Sequence, residues 1–424
     1  MCKKSVTCII TAKSLHGDRL CELGGLGGEK SGLVRARRGS VLPLALIVIT
    51  LLLVMGLGML RLGLQARVYA ARTSDGIAAR TAADAGLTKA IYDMNQKLKT
   101  PPWDDSTLPS ASNVSLPGCS ATYSYTVTKS GSNYAVIATG SCGQIQKQVS
   151  CTLVVDSPFD FAAFGNSYLW FANGCTVDQY NTTPGTPTLQ IGTNNTERGW
   201  VFISNDGLIN GDVVVGPGGD PAYVITNHGT ITGNQYAMPT PNTLESVIVP
   251  SSLASMGSLG KLTGGNVTTS GKYSKIDLGN KKTLTIEGPV TLYVTGDVSL
   301  GNGAQIIVDN TTPNSSLTLY LGGNLSSDKD SNINNLTQNP RNMEIFALDS
   351  CTKIILKNSS AFYGAIYAPK AQVLSYNSGA TYGSVIADAF GLYNTGAFHY
   401  DVSLRNATVN DPLVKFRVTQ WSEN

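Results

Sequence analysis

Charge is scarce in this chain of 424 residues: Asp, Glu, Lys and Arg together supply 14% of it, and the formal net charge is only +3. A nucleic-acid-binding face needs clustered Lys and Arg, so nucleic acid is excluded as a partner. Histidine is nearly absent, with only His16, His228 and His399, and none of the eight cysteines forms a Cys-x-x-Cys pair. Closely spaced Cys and His ligands make a structural zinc site, and their absence excludes one. No Gly-x-Ser-x-Gly turn occurs, so His399-Tyr400-Asp401 lacks the nucleophile that a Ser/His/Asp hydrolase would hold beside it. His399 reads instead as a structural residue of the last coil.

What the chain does have is one long apolar run. Val41 to Leu60 contains no charged residue and follows directly on Arg35, Arg37 and Arg38. Twenty helical residues rise about 30 Å, the thickness of a bilayer's hydrocarbon core. Residues 1–38 carry eight Lys or Arg against three acids, which predicts a cytoplasmic leader and an exported remainder. A secretory signal would have a shorter apolar region ending at a small-residue cleavage site; here the run passes into Leu60-Arg61-Leu62-Gly63. The leader cysteines Cys2, Cys8 and Cys21 stay reduced in a cytoplasm, whereas the five exported ones can oxidise.

Helix formers continue after the apolar run. Leu87, Ile91, Met94 and Leu98 recur at helical spacing, which predicts one helix ending at Pro101-Pro102 and packing on the next domain. Alternating runs at Ser120–Thr128, Tyr134–Thr139 and Gln144–Val155 predict an antiparallel meander. Folding its first hairpin about Gly131 brings Cys119 opposite Cys142, the expected disulfide. Residues 159–404 are short β-rich runs separated by Gly, Asn, Asp and Ser. Phrases such as Val294-Thr295-Gly296-Asp297-Val298 and Leu321-Gly322-Gly323-Asn324-Leu325 suggest stacked coils. The expected fold is mainly β with a long N-terminal membrane-spanning α-helix, the head being a single-stranded, right-handed β-helix, with a β-sandwich as the alternative. The expected domains are a cytoplasmic leader (1–38), a membrane helix and stalk (39–100), the meander (101–156), the head (157–404) and a C-terminal tail (405–424).

Candidate chemistry in the head is thin. Asp328, Asp330 and Asn332 alternate like the oxygen ligands of a calcium loop, but Ile333 and Asn339 stand where such a loop has Gly and Glu. A polar surface loop is the plainer reading, so no cofactor is expected, with calcium as the one alternative. The acids Glu287, Asp297, Asp309, Asp328, Asp330, Glu344, Asp349 and Asp388 would have to gather in pairs for a glycosidase. The aromatic cluster Phe159, Phe161, Phe164, Tyr168, Trp170 and Phe171 reads as a cap on the open end of the coils, or as a sugar platform.

Arg38-Gly39-Ser40-Val41-Leu42, the apolar helix, and then Ala83-Asp84-Ala85-Gly86-Leu87 resemble the N-terminal domain of PilX-type pilus assembly proteins, in which Glu usually stands where Asp84 does here. The stretches Phe362–Pro369, Tyr382–Ala387 and Gly396–Asp401 resemble a domain of unknown function often attached to such N-termini. The resemblance implies a non-enzymatic minor-pilin-like subunit of a type IV pilus or type II secretion-like assembly. It implies prepilin-peptidase cleavage between Gly39 and Ser40, residence in a bacterial inner membrane and contact with other pilin-like subunits through the helix. It also implies an exported head for adhesion or subunit contacts, with a surface or polysaccharide ligand as a further candidate partner. The fifth mature position, Glu in major pilins, is Leu44 here, which favours an accessory role over a shaft role. The alternatives are a membrane-tethered carbohydrate-active enzyme and a signal-anchored surface protein outside any filament.

Overall fold

A computed structural model describes residues 41–100, 102–376, 379–393 and 396–423. Gly39 and Ser40 lie outside the described residues. The chain forms two units, one ending at Ala70 and one beginning at Ala71. The mainly β fold with one long apolar N-terminal helix is as expected.

The helix spans Val41–Leu98 without interruption, 58 residues or about 87 Å. From Val41 to Tyr69 every large apolar side chain is exposed. The one hydroxyl within the apolar run, Thr50, donates to Ile47 O at 2.9 Å, so it carries no unmet donor into an apolar surrounding. From Ala79 onward the same helix buries Ala79, Ala82, Ala83, Gly86, Leu87, Ala90 and Met94.

Those residues press on an antiparallel sheet whose strands run, in spatial order, Ser110–Ser115, Thr122–Ser130, Asn133–Cys142, Ile145–Asp156 and Lys415–Glu423. The helix lies very close. A Cβ placed on Gly140 would come within 1.9 Å of Ala79 O and 2.4 Å of Ala83 N. Asp93 accepts from Lys89 at 2.6 Å and from the Tyr125 hydroxyl at 2.5 Å, and Asn95 Oδ1 accepts the Phe416 amide at 2.8 Å. Trp103, Tyr134 and Phe416 pack ring against ring at 5.2–5.7 Å.

Two expectations are corrected here. The stretch read as a C-terminal tail supplies the sheet's fifth strand: Lys415–Glu423 alternates well enough to pair, but only the opposite strand makes it one. Cys119 and Cys142 are not joined. The register sets Thr122 against Ser141, which leaves Cys119 in the turn beyond the ladder, while Cys142 is buried with its Sγ 3.7 Å from Asp75 Oδ1.

Among the described residues of the head every strand pairing is parallel, which leaves no place there for antiparallel sandwich sheets. Most coils supply three strands, whereas Ala163–Phe171, Phe362–Ser375 and Thr381–Leu392 are long strands that each serve two faces. Ile276 pairs with Val298 and Val298 with Leu325 on one face; Leu292 with Leu319 and Leu319 with Ile345 on a second; Leu284 with Ile306 and Ile306 with Ile333 on a third. Alternate residues point inward as a continuous apolar column.

Coil order in space departs from chain order. The first strand, Ala163–Phe171, lies in the middle of the stack: Ala163 pairs with Ile191 on one side and with Val385 on the other. The chain winds outward from there to Gln235–Ala237. It then crosses through residues 238–260 to the far end, and coils back until Thr381–Leu392 and Ala397–Asp401 meet the first coil. The crossing segment is tied at Asn194, Asp349, Tyr367 and Lys272 as it passes. The Phe159–Phe171 aromatics therefore do not cap an open end. Phe159, Phe164 and Phe171 are core residues beside the junction of first and last coils.

Candidate functional site

The region with the densest side-chain chemistry is this junction. His399 lies on Tyr382 with ring centroids 4.6 Å apart, Tyr382 stacks on Tyr363 at 4.4 Å, and His399 Nδ1 is 2.5 Å from Asp178 Oδ1. Ser384 donates to Phe161 O and the buried Tyr400 hydroxyl to Phe159 O, both at 2.7 Å. Asp388 accepts from Asn166 and Ser167, and Asp401 accepts from Asn181 and from the Ser403 amide. Each of these bonds joins residues more than 200 positions apart, except the Asp401–Ser403 cap, so the junction is held by polar ties as well as by its core. His399 and Asp401, adjacent but one in sequence, serve different partners and form no catalytic fragment.

On an outer face a second column runs Tyr376, Tyr393, Trp170, Phe202. Tyr376 and Tyr393 stack at 4.8 Å, Trp170 and Phe202 at 4.2 Å with 11° between planes, and Tyr393 fits over Gly391, whose missing side chain admits the ring. Stacking a sugar on an aromatic requires a free ring face. Here successive coils cover one another's faces, so the column stabilises coil–coil contact and is a poor sugar platform.

The acids weighed for glycosidase chemistry are dispersed. Glu287 accepts from Asn266, Asp297 from the Asn324 amide at 2.7 Å, and Asp349 from Ser246 at 2.8 Å. Asp309 holds its own turn through Thr311 and Thr312, bonds that keep its carboxyl well below the usual range. Asn332 Oδ1 accepts four hydrogen bonds from Ser359 and Ser360 of the next coil, and Asp328 lends its carbonyl to Ser331. Asn332 therefore acts as a rung between coils, and no cluster of three His, Cys, Asp or Glu side chains occurs among the described residues.

The Ala83-Asp84-Ala85-Gly86-Leu87 phrase lies on the helix–sheet contact. Ala83, Gly86 and Leu87 are buried, and a Cβ on Gly86 would meet the Tyr123 ring at 3.0 Å. Asp84 stays half-exposed, 3.9 Å from Arg80. The phrase thus has a packing role, in line with the Leu87 stripe expected to face the next domain: its small residues let the helix approach the sheet.

Residues 225–407 match the family model described as Domain of unknown function (DUF7305). The matched stretch takes in the crossing segment and the whole returning run of coils. No curated protein matches the chain. Among solved structures, the competence-associated pilin ComZ from Thermus thermophilus is similar over 82% of this chain and 97% of its own, at 15% identity and a TM-score of 0.25. A glycosylated ice-binding protein (LeIBP) from an Arctic yeast is similar over 57% of this chain and 90% of its own, at 14% identity and a TM-score of 0.21. At these TM-scores neither likeness bears on what this chain does.

Proposed function

We propose that the protein is a non-enzymatic, minor-pilin-like subunit anchored in a bacterial inner membrane by Val41–Leu60. In this reading its leader is cytoplasmic and its sheet and head are exported. The observation that carries this reading is the division of one helix. Its first half exposes every large apolar side chain, and its second half is buried against a sheet through small residues. A lipid or a bundle of like helices is the surrounding such a first half requires. A Cβ on Gly56 or Gly58 would meet nothing within this chain, leaving room for close approach by other pilin-like helices. The head, with Glu287, Asp297, Asp388 and its stacked aromatics engaged between coils, suits adhesion or subunit contact better than carbohydrate cleavage.

The test is the mature N-terminus, read by mass spectrometry of membrane and sheared-filament fractions. A start at Ser40 supports prepilin processing. An intact leader in both fractions sinks the filament reading and leaves a signal-anchored surface protein.

A further inference from the structure

Between the last coil and the final strand the chain passes through residues 402–413, and one side chain does most of the holding. Arg341, at the corner leading into Met343–Ala347, donates to Ser403 O at 2.8 Å, to Asn406 O at 2.5 Å and to Asp411 Oδ2 at 3.3 Å. Glu344, the outward residue one step along that strand, faces the same segment. It lines a cavity of about 10 Å³ together with Ser157, Phe159, Arg341, Phe346 and Asp411, room for about one water. Among the described residues its carboxyl carries no hydrogen bond, while Asp411 across the cavity accepts from Arg341 and from the Thr408 amide.

We propose that Glu344, Arg341 and Asp411 form a proton-operated latch on residues 402–413. With Glu344 neutral, Asp411 is the one carboxylate drawing on Arg341, the Arg341 bonds to Ser403 O and Asn406 O hold, and the segment stays docked. With Glu344 ionised, two carboxylates compete for one guanidinium and the segment loosens. The final strand, Lys415–Glu423, follows directly and closes one edge of the sheet, so the latch governs how firmly that edge is covered. The inference is independent of whether the chain enters a filament.

The electrostatics agree. Burial, and after it the Asp411 carboxylate, raise Glu344 from 4.5 to about 7, with Arg341 opposing. Tyr320, on the adjoining coil, is pushed up to about 12 by burial first and by Glu344 second. The charged and titratable groups facing Glu344 are thus Arg341 and Tyr320 from the coils and Asp411 from the segment. A carboxyl raised above its free value favours the docked state while protonated. That contribution is complete below about 4.5 and is lost as the pH rises through about 7.

Hydrogen exchange of the full chain in detergent micelles, read by mass spectrometry at about pH 6 and about pH 8.5 and corrected for intrinsic rates, tests the latch. If opening returns Glu344 to its free value, opening of residues 402–413 rises by up to about tenfold between these pH values, while amides of Gln305–Val308 remain constant. Glu344→Gln should abolish the rise. Asp411→Asn, which leaves Arg341 free for an ionised Glu344, should shrink or reverse it, and serves if the first variant folds poorly. A wild-type ratio near one, or an unchanged rise in the folded variants, overturns the proposal.

Discussion

The sheet under the helix and the coils of the head close their edges by opposite routes. Four strands of the sheet are consecutive hairpins, with Tyr134 facing Leu153 and Lys129 facing Tyr134, and only its fifth strand comes from far away. Among the described residues of the head no strand pairs with a neighbour through a hairpin, and the first coil is flanked by the last. Local pairing closes short loops and forms early, whereas the junction must bring residues 163–171 to residues 385–392 at a large loop-closure cost. Yet both regions are finished by the C-terminal part of the chain: Thr381–Leu392 completes the stack and Lys415–Glu423 completes the sheet. The comparison teaches that neither module is whole until the end of the chain arrives.

The sharpest way to break this comparison is at the junction. Phe390 is fully buried and packs against Phe171 and Phe398 at 6.2 and 5.8 Å. Phe390→Ala should cost about 3–5 kcal/mol, measured by urea denaturation of the detergent-solubilised chain, and should expose the 163–171 amides to exchange before those of the hairpins. An effect confined to the sheet would contradict the junction's role. Gly140→Val strikes the other region. Since even a Cβ would collide with the helix backbone, a loss of about 3 kcal/mol is expected, with the helix from Ala79 losing protection while the coils keep theirs. Ser384→Ala removes the 2.7 Å tie from last coil to first and leaves Phe161 O unserved, for about 1–2 kcal/mol; no change would mean the apolar junction suffices alone.

The smallest effect concerns acid. Lys129, Trp103 and Tyr134 all donate to Asp105, the Lys129 bond being foremost, and hold it at about 2. A carboxyl lowered from 3.8 stabilises the sheet above that value and loses the contribution as the pH falls through about 2. Solvent screening keeps the effect small. The melting temperature of wild type should therefore fall slightly more than that of Asp105→Asn between about pH 5 and about pH 2. Equal slopes would show the cluster contributes nothing.

Much of this was legible because the signals were local. The apolar run, the Leu87–Leu98 stripe and the alternation about Gly131 each encode an element within a few turns of chain. The stacked coils were legible only as a tendency, because their steps are uneven: Leu292 lies opposite Leu319, 27 residues on, while Val373 lies opposite Phe390, only 17 on. No fixed period can survive such spacing. The reading of Cys119 opposite Cys142 failed because the turn at Gly118 takes Cys119 out of the ladder, and nothing in the sequence signals that the Asn332 side chain accepts from the next coil.

The amino-acid pattern by itself determined that a helix too apolar for water precedes a β-rich part, since hydropathy and periodicity act over distances the chain spans by itself. Only the tertiary structure decided that the first coil lies in the middle of the stack, that the tail is a strand, and that Arg341 and Glu344 meet Asp411. Those outcomes depend on which surfaces remain unpaired once the local elements have formed, and contacts between residues dozens to hundreds of positions apart leave no periodic trace in the sequence.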